Sequence, residues 1–61
     1  MPIVQIELLS GRSLDQKRAL AEKVTGAICD SLDVKPEAVS IILREMDHEA
    51  FAKAGKLWAD K

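Results

Sequence analysis

The sequence has little of several residue types on which small proteins commonly rely. One cysteine in 61 residues leaves no internal disulfide, and no Cys/His spacing suggests a metal site. Tyrosine is absent, and Phe51 and Trp58 are the only aromatic residues. The formal net charge of −1 leaves neither a basic surface for nucleic acid nor an acidic tail. We therefore expect no metal site and no nucleic-acid partner.

Long hydrophobic runs are also missing. The apolar residues near the N-terminus lie between Ile3 and Leu9 and follow no basic segment. This pattern predicts neither a signal peptide nor a membrane span, so we expect a soluble, cytoplasmic protein with no membrane partner.

Apolar residues are nevertheless abundant for so short a chain. They make up 48% of the sequence, which is long enough for a single domain over residues 1–61. A domain of this size buries only about 60% of its unfolded surface. Without disulfides or metals, self-association is the expected way to cover the remainder.

Residues 2–9 alternate as a β-strand does. Val4, Ile6 and Leu8 share one fully apolar face, which should meet a helix. The other face is mixed and could meet solvent or another subunit; it carries Ile3, Gln5, Glu7 and Leu9.

A helix should follow the turn at Ser10-Gly11-Arg12. Ser13 and Gln16 fit a capping box at its start, and it should run to about Leu32. Its predicted apolar stripe contains Leu20, Val24, Ala27, Ile28 and Ser31/Leu32. The opposite side would carry Arg18, Glu22, Thr25 and Cys29, which leaves Cys29 exposed.

A second strand is predicted for residues 39–46, after a short helical turn that begins at Pro36. Its Ile41-Ile42-Leu43 centre is apolar on both faces, which predicts a covered, central position. A strand–helix–strand unit of this length should be parallel and right-handed. The expected fold class is therefore α/β, a β-α-β subunit whose core depends on oligomerisation.

The tail is less regular. Residues 47–49 suggest a loop in which His48 is solvated, and residues 51–58 suggest either a short helix or a hairpin that turns near Gly55. Phe51 and Trp58 are expected to pack on a neighbouring subunit, because the chain itself offers them little core.

Chemistry could come from Pro2 and Arg12. Removal of Met1 would leave Pro2 with a free secondary amine, a group that titrates near about 8 in model compounds. A nearby guanidinium and a water-poor pocket would both lower its pKa and make it a usable base. Arg12 could bind a carboxylate with its forked donors. Position alone also allows a simpler interpretation: Pro2 leads a strand and Arg12 is solvated.

The sequence resembles the 4-oxalocrotonate tautomerase family over nearly its whole length. The resemblance rests on residues 2–6 (Pro-Ile-Val-Gln-Ile), residues 9–13 (Leu-Ser-Gly-Arg-Ser) and Asp15-Gln16-Lys17, and continues through Glu45-Met46 and Phe51. It implies a β-α-β subunit in a homohexamer, arranged as a trimer of dimers. It also implies an isomerase, a cofactor-independent keto–enol tautomerase that acts on a small enol or 2-oxo carboxylic acid.

The resemblance assigns roles to individual residues. Pro2 matches the catalytic proline, Arg12 an arginine that binds substrate carboxylate from a neighbouring subunit, and Phe51 an aromatic residue of the substrate pocket. Ser40 stands where the best-known members have a second, substrate-binding arginine, and a neutral hydroxyl stabilises charge less well. Arg44, on the same strand face, could replace that cation.

Two alternatives remain open at this point. One is an oligomeric family member that has lost its catalytic activity, which the serine at position 40 motivates. The other is a hydratase or dehalogenase of an unsaturated acid. That chemistry needs a carboxylate to activate water, whereas Glu7 and Glu45 are expected to pair with lysines or face water.

Overall fold

Two parallel strands and one long helix make up most of the chain, and the computed structural model describes residues 1–60. Strand β1 spans Ile3–Leu9, helix α1 spans Leu14–Leu32 and strand β2 spans Ser40–Met46. Ile3 lies opposite Ser40 at one end of the sheet, and Leu9 lies opposite Met46 at the other. The predicted parallel β-α-β unit is confirmed.

One face of the sheet turns toward the helix. Val4, Ile6 and Leu8 are half-buried, whereas Ile3, Gln5 and Glu7 are exposed, so the predicted alternation is correct from Ile3 to Leu8; Leu9, predicted on the mixed face, is half-buried as well. Leu8 shares a groove with Leu20 of α1. On β2, Glu45 accepts a hydrogen bond of 2.9 Å from Lys17 Nζ of the helix.

The helix begins with the predicted capping box. Ser13 Oγ accepts a hydrogen bond of 3.1 Å from the Gln16 backbone N–H. In return, Gln16 Oε1 accepts one of 2.9 Å from the Ser13 N–H. Both donors would otherwise lack a partner within the helix. The helix ends at Leu32, where Asp33 adopts a left-handed conformation with φ of 55°.

The predicted helix stripe is wrong on one side. Ala27 is exposed, whereas Thr25 and Cys29 are half-buried. The reason is the returning chain: the 3-10 turn Pro36–Ala38 contacts the helix, and Pro36 lines a groove with Thr25 and Cys29. Packing of this segment covers the helix side that hydrophobicity alone leaves to solvent.

The prediction that both faces of β2 are covered is wrong for the single chain. Ile42 is 40% exposed, and the sheet that contains β2 has only two strands in the described residues. Helix α1 covers one face, and nothing in residues 1–60 covers the other. We call that second surface the open sheet face; it comprises Ile3, Gln5, Glu7, Ser40, Ile42 and Arg44.

The tail forms the hairpin rather than the helix. Strand β3 (Ala52–Lys53) pairs antiparallel with strand β4 (Lys56–Leu57) around Ala54 and Gly55. The predicted loop at 47–49 is partly a 3-10 turn, His48–Ala50. Phe51 and Trp58 contact each other edge to face, with ring centroids 5.8 Å apart, so each has an aromatic partner within the chain.

The chain is thin and elongated. Its Cα atoms extend over 43 × 23 × 13 Å with a radius of gyration of 14.6 Å. A self-contained domain of this length would have a radius of about 10–11 Å. None of residues 1–60 is fully buried, and their single long helix is too polar to cross a membrane.

Candidate active site

Pro2 lies at one end of the sheet, immediately before β1. Its carbonyl oxygen accepts a hydrogen bond of 3.0 Å from the backbone N–H of Ser40, the first residue of β2. This hydrogen bond holds Pro2 beside Ser40. It does not involve the Pro2 nitrogen, which is bonded to Met1. Met1 is 86% exposed, so it is open to a processing enzyme. While Met1 is attached, the Pro2 nitrogen is an amide and has no basicity.

Arg12 lies past the opposite end of the sheet. It follows Gly11, whose φ of 125° lies in a region that favours glycine and turns the chain from β1 toward α1. Arg12 borders a groove of about 450 Å³ that is large enough for a small organic acid. The groove is lined by Leu8, Leu9, Ser10, Gly11, Arg12, His48 and Trp58.

Pro2 and Arg12 do not meet within one chain. The seven residues of β1 separate them. At about 3.3 Å per residue, a strand of this length spans more than 20 Å. A site that uses both residues must therefore combine two chains.

The other site residues predicted from the sequence lie in different places. Ser40 neighbours Pro2 in the sheet. Arg44 is not a free cation, because its Nη1 lies 3.3 Å from Glu7 Oε2 on the open sheet face. Phe51 is half-buried against Trp58 in the tail.

The carboxylates near the sheet are already engaged. Glu7 pairs with Arg44, and Glu45 pairs with Lys17 Nζ at 2.9 Å. The expectation of lysine partners is correct for Glu45, and for Glu7 the cation is an arginine. Neither carboxylate is positioned as a general base beside Pro2 in the single chain.

His48 and Trp58 are the groove residues that sequence reasoning missed. His48 is exposed, as the sequence predicted, and it also lines the groove with Arg12. One signal could have found it: the carboxyl ends of parallel strands lie at the same edge of a sheet. Arg12 follows the end of β1 and His48 follows the end of β2.

The match to known proteins is consistent with this geometry. The family model described as tautomerase enzyme matches residues 2–61. The chain belongs to the tautomerase family. The resemblance seen in the sequence is thereby confirmed, and the chemistry to expect is that of a tautomerase-type isomerase.

Several tautomerase relatives match over nearly their full lengths. A probable tautomerase of Halalkalibacterium halodurans is 43% identical over 61 residues, which is 100% of both chains. The 2-hydroxymuconate tautomerase of Bacillus subtilis is 38% identical over 60 residues, covering 98% of this chain and 97% of its own.

Solved structures extend the comparison to the fold. A 4-oxalocrotonate tautomerase isozyme from Methylibium petroleiphilum has a TM-score of 0.92 at 41% identity, covering 97% of this chain and 92% of its own. A heterohexameric 4-oxalocrotonate tautomerase from Chloroflexus aurantiacus has a TM-score of 0.92 at 30% identity, and the match covers 98% of this chain and 97% of its own. A structure studied for trans-3-chloroacrylic acid dehalogenase activity has a TM-score of 0.82 at 25% identity, and the match covers 92% of this chain and 97% of its own. The family fold therefore serves more than one reaction.

Proposed function

We propose that this tautomerase-family chain converts a small enol carboxylic acid to its 2-oxo form without a cofactor, using the amine of Pro2 after Met1 is removed. Arg12 of a neighbouring chain binds the substrate carboxylate, with Ser40 and Phe51 lining the site. The observation that carries the proposal is the position of Pro2 and Arg12 at opposite ends of β1. Two chains side by side can combine one residue from each.

The proposed reaction moves one proton. The neutral Pro2 amine takes the hydroxyl proton of the enol, and the electron pair of the O–H bond forms the carbonyl. The C=C electron pair then takes the proton back from the protonated amine at the far carbon. Atoms and charge balance, and the enzyme returns to its starting state. The amine serves as base and then as acid.

Self-association supports this arrangement. The open sheet face includes two exposed apolar side chains, Ile3 at 62% and Ile42 at 40% exposure. Contact with another chain would remove them from water. A hexameric relative has the same fold. We propose a homohexamer built as a trimer of dimers. Sedimentation analysis should find it, and a stable folded monomer would contradict both the assembly and the shared site.

The decisive activity test uses protein whose N-terminal mass shows that Met1 is gone. Such protein should convert phenylenolpyruvate or a 2-hydroxydienoate to the oxo form. Pro2→Ala keeps an N-terminal amine but makes it primary and no longer held by the ring, so kcat should fall by at least about tenfold, a part of the usual contribution of a general acid–base residue. Equal activity of parent and Pro2→Ala would end the proposal.

A second candidate is a family member that has lost its activity. Ser40 favours it, since a neutral residue stands beside Pro2. This candidate predicts a hexamer that retains Met1 and shows no turnover that depends on Pro2. Mass spectrometry of the N-terminus in the producing cell distinguishes the two candidates.

Hydration or dehalogenation of an unsaturated acid is a weaker alternative. It is motivated by the dehalogenase-related structure with the same fold. Those reactions need a carboxylate that activates water, and Glu7 and Glu45 are both engaged in ion pairs. Release of halide from 3-chloroacrylate by the processed protein would favour it over tautomerisation.

A further inference from the structure

The groove beside Arg12 is assembled from three separated segments of the chain. The end of β1 and the following turn contribute five lining residues, the 3-10 turn after β2 contributes His48, and the final turn contributes Trp58. Leu8 and Leu9 provide apolar surface. Such a combination of apolar walls with a few polar groups is typical of small-molecule sites.

Arg12 and His48 are well suited to bind oxygen atoms in this groove. A guanidinium offers forked N–H donors. An imidazole has one N–H donor when neutral and two when protonated. None of the seven lining residues is acidic. The ion pairs of residues 1–60 engage Lys17, Arg18 and Arg44, and none of them includes Arg12.

The opposite end of the proposed site has a different character. Pro2 is joined there to Ser40, which carries no charge. Arg44, the nearest cation along β2, is held by Glu7 at 3.3 Å. The groups that bind anions are therefore concentrated at the Arg12 end, and the Pro2 end lacks a cation for a second carboxylate.

We propose that His48 is a second substrate-binding residue that works with Arg12. Together they select acids that carry an oxygen on the carbon next to the carboxylate. Arg12 binds the carboxylate, and His48 donates a hydrogen bond to the oxygen on the adjacent carbon. The preferred substrates are then 2-oxo or 2-hydroxy-enol monocarboxylates with an apolar remainder. This inference rests on the proposed function, because it assigns the groove to the substrate.

Binding of a non-reactive acid tests His48 apart from catalysis. Phenylglyoxylate carries the carboxylate and the 2-oxo group, but it has no hydrogen on a neighbouring carbon and cannot enolise. Phenylacetate lacks the 2-oxo oxygen. The parent should bind phenylglyoxylate about tenfold more tightly than phenylacetate, the advantage of one hydrogen bond to a strongly polar group.

Three variants separate the hydrogen bond from a structural role. His48→Leu should abolish the preference for phenylglyoxylate, and His48→Gln, which keeps an N–H donor, should restore most of it. Glu49→Gln is the matched control, since Glu49 is in the same turn but does not line the groove. If His48→Leu weakens both acids equally, or neither, His48 does not read the 2-oxo oxygen and the inference is wrong.

Turnover provides the second measurement. With phenylenolpyruvate, His48→Leu should lower kcat/KM about tenfold, because the lost hydrogen bond is to the oxygen that becomes the carbonyl. A processed parent that binds phenylglyoxylate but converts no enol acid would contradict the proposed function alone. The binding comparison would still decide the role of His48, and a parent that binds neither acid would overturn it.

Discussion

At the scale of single residues, Ser40 is the uncharged neighbour of Pro2 in the sheet. It is half-buried and joined to Pro2 through the backbone at 3.0 Å. A hydroxyl can donate one hydrogen bond to a substrate oxygen, but it cannot balance a carboxylate charge. We therefore expect the parent to accept monocarboxylates as well as, or better than, dicarboxylates.

Ser40→Arg tests this expectation. A guanidinium at position 40 should raise kcat/KM for a dicarboxylate such as 2-hydroxymuconate about tenfold relative to phenylenolpyruvate, since charge-assisted hydrogen bonds are the stronger ones. Steady-state kinetics with the two acids gives the ratio. Ser31→Arg adds the same charge on the exposed helix surface and should leave it unchanged. If both variants change the ratio equally, overall charge is responsible rather than position 40.

At the scale of elements, local sequence signals were sufficient to predict the helix and strands, but not how the elements pack against one another. The capping box at Ser13, the alternation of Val4, Ile6 and Leu8, and the turn at Pro36 each act within a few residues, so the sequence could predict them. The burial of Cys29 depends on a segment that returns from further along the chain. No local pattern contains that information.

The same distinction applies to the candidate site. Pro2 and Arg12 could be proposed from the sequence, mainly through the family resemblance. His48 was missed, although the predicted parallel pairing already implied that the segment after β2 lies at the same sheet edge as Arg12. The ion pair of Arg44 was equally hidden, since its partner Glu7 lies on the other strand, directly across the sheet.

The tail hairpin carries a backbone strain that a substitution should relieve. Ala54 has φ of 54° and Gly55 has φ of 81°, the pair of positive angles that a type I′ turn requires. A side chain in the left-handed region costs about 1–2 kcal/mol, and glycine removes that cost while adding about 0.5–1 kcal/mol of chain entropy. Ala54→Gly should therefore raise the free energy of unfolding by about 0.5–1 kcal/mol.

Chemical denaturation at a fixed protein concentration measures this change, because oligomer stability depends on concentration. Ala52→Gly is the matched control within the same hairpin. Ala52 lies in β3 and does not have a positive φ, so glycine there should lower stability. If Ala54→Gly destabilises as much as Ala52→Gly, the turn is not strained.

The helix start provides a second element-scale prediction. Ser13→Ala removes the acceptor for the Gln16 N–H at 3.1 Å and should lower the free energy of unfolding by about 1 kcal/mol. Ser31→Ala, on an exposed position near the helix end, should change it little. Denaturation curves that show equal losses for the two serines would mean that the cap contributes nothing measurable.

At the scale of the whole molecule, self-association would account for both the thin shape of the chain and the distance between Pro2 and Arg12. The chain is only 13 Å thick and buries no residue completely within residues 1–60. The seven residues of β1 keep Pro2 and Arg12 apart within the chain. Assembly would therefore do two things together: cover the open sheet face and bring a proline and an arginine from different chains into one site.

A mixing experiment tests the shared site directly. Pro2→Ala replaces the ring amine by a primary amine that the ring no longer holds in place, and Arg12→Gln lacks the carboxylate-binding group, so each should be strongly impaired as a pure oligomer. When the two are unfolded together and reassembled, random exchange should give about a quarter of the sites both native residues. Activity should then return to about that fraction of the parent value, measured with phenylenolpyruvate at equal total protein. If each site belonged to one chain, no mixture could contain an intact site, and recovery would be absent; parent protein carried through the same unfolding and reassembly shows that the procedure itself preserves activity.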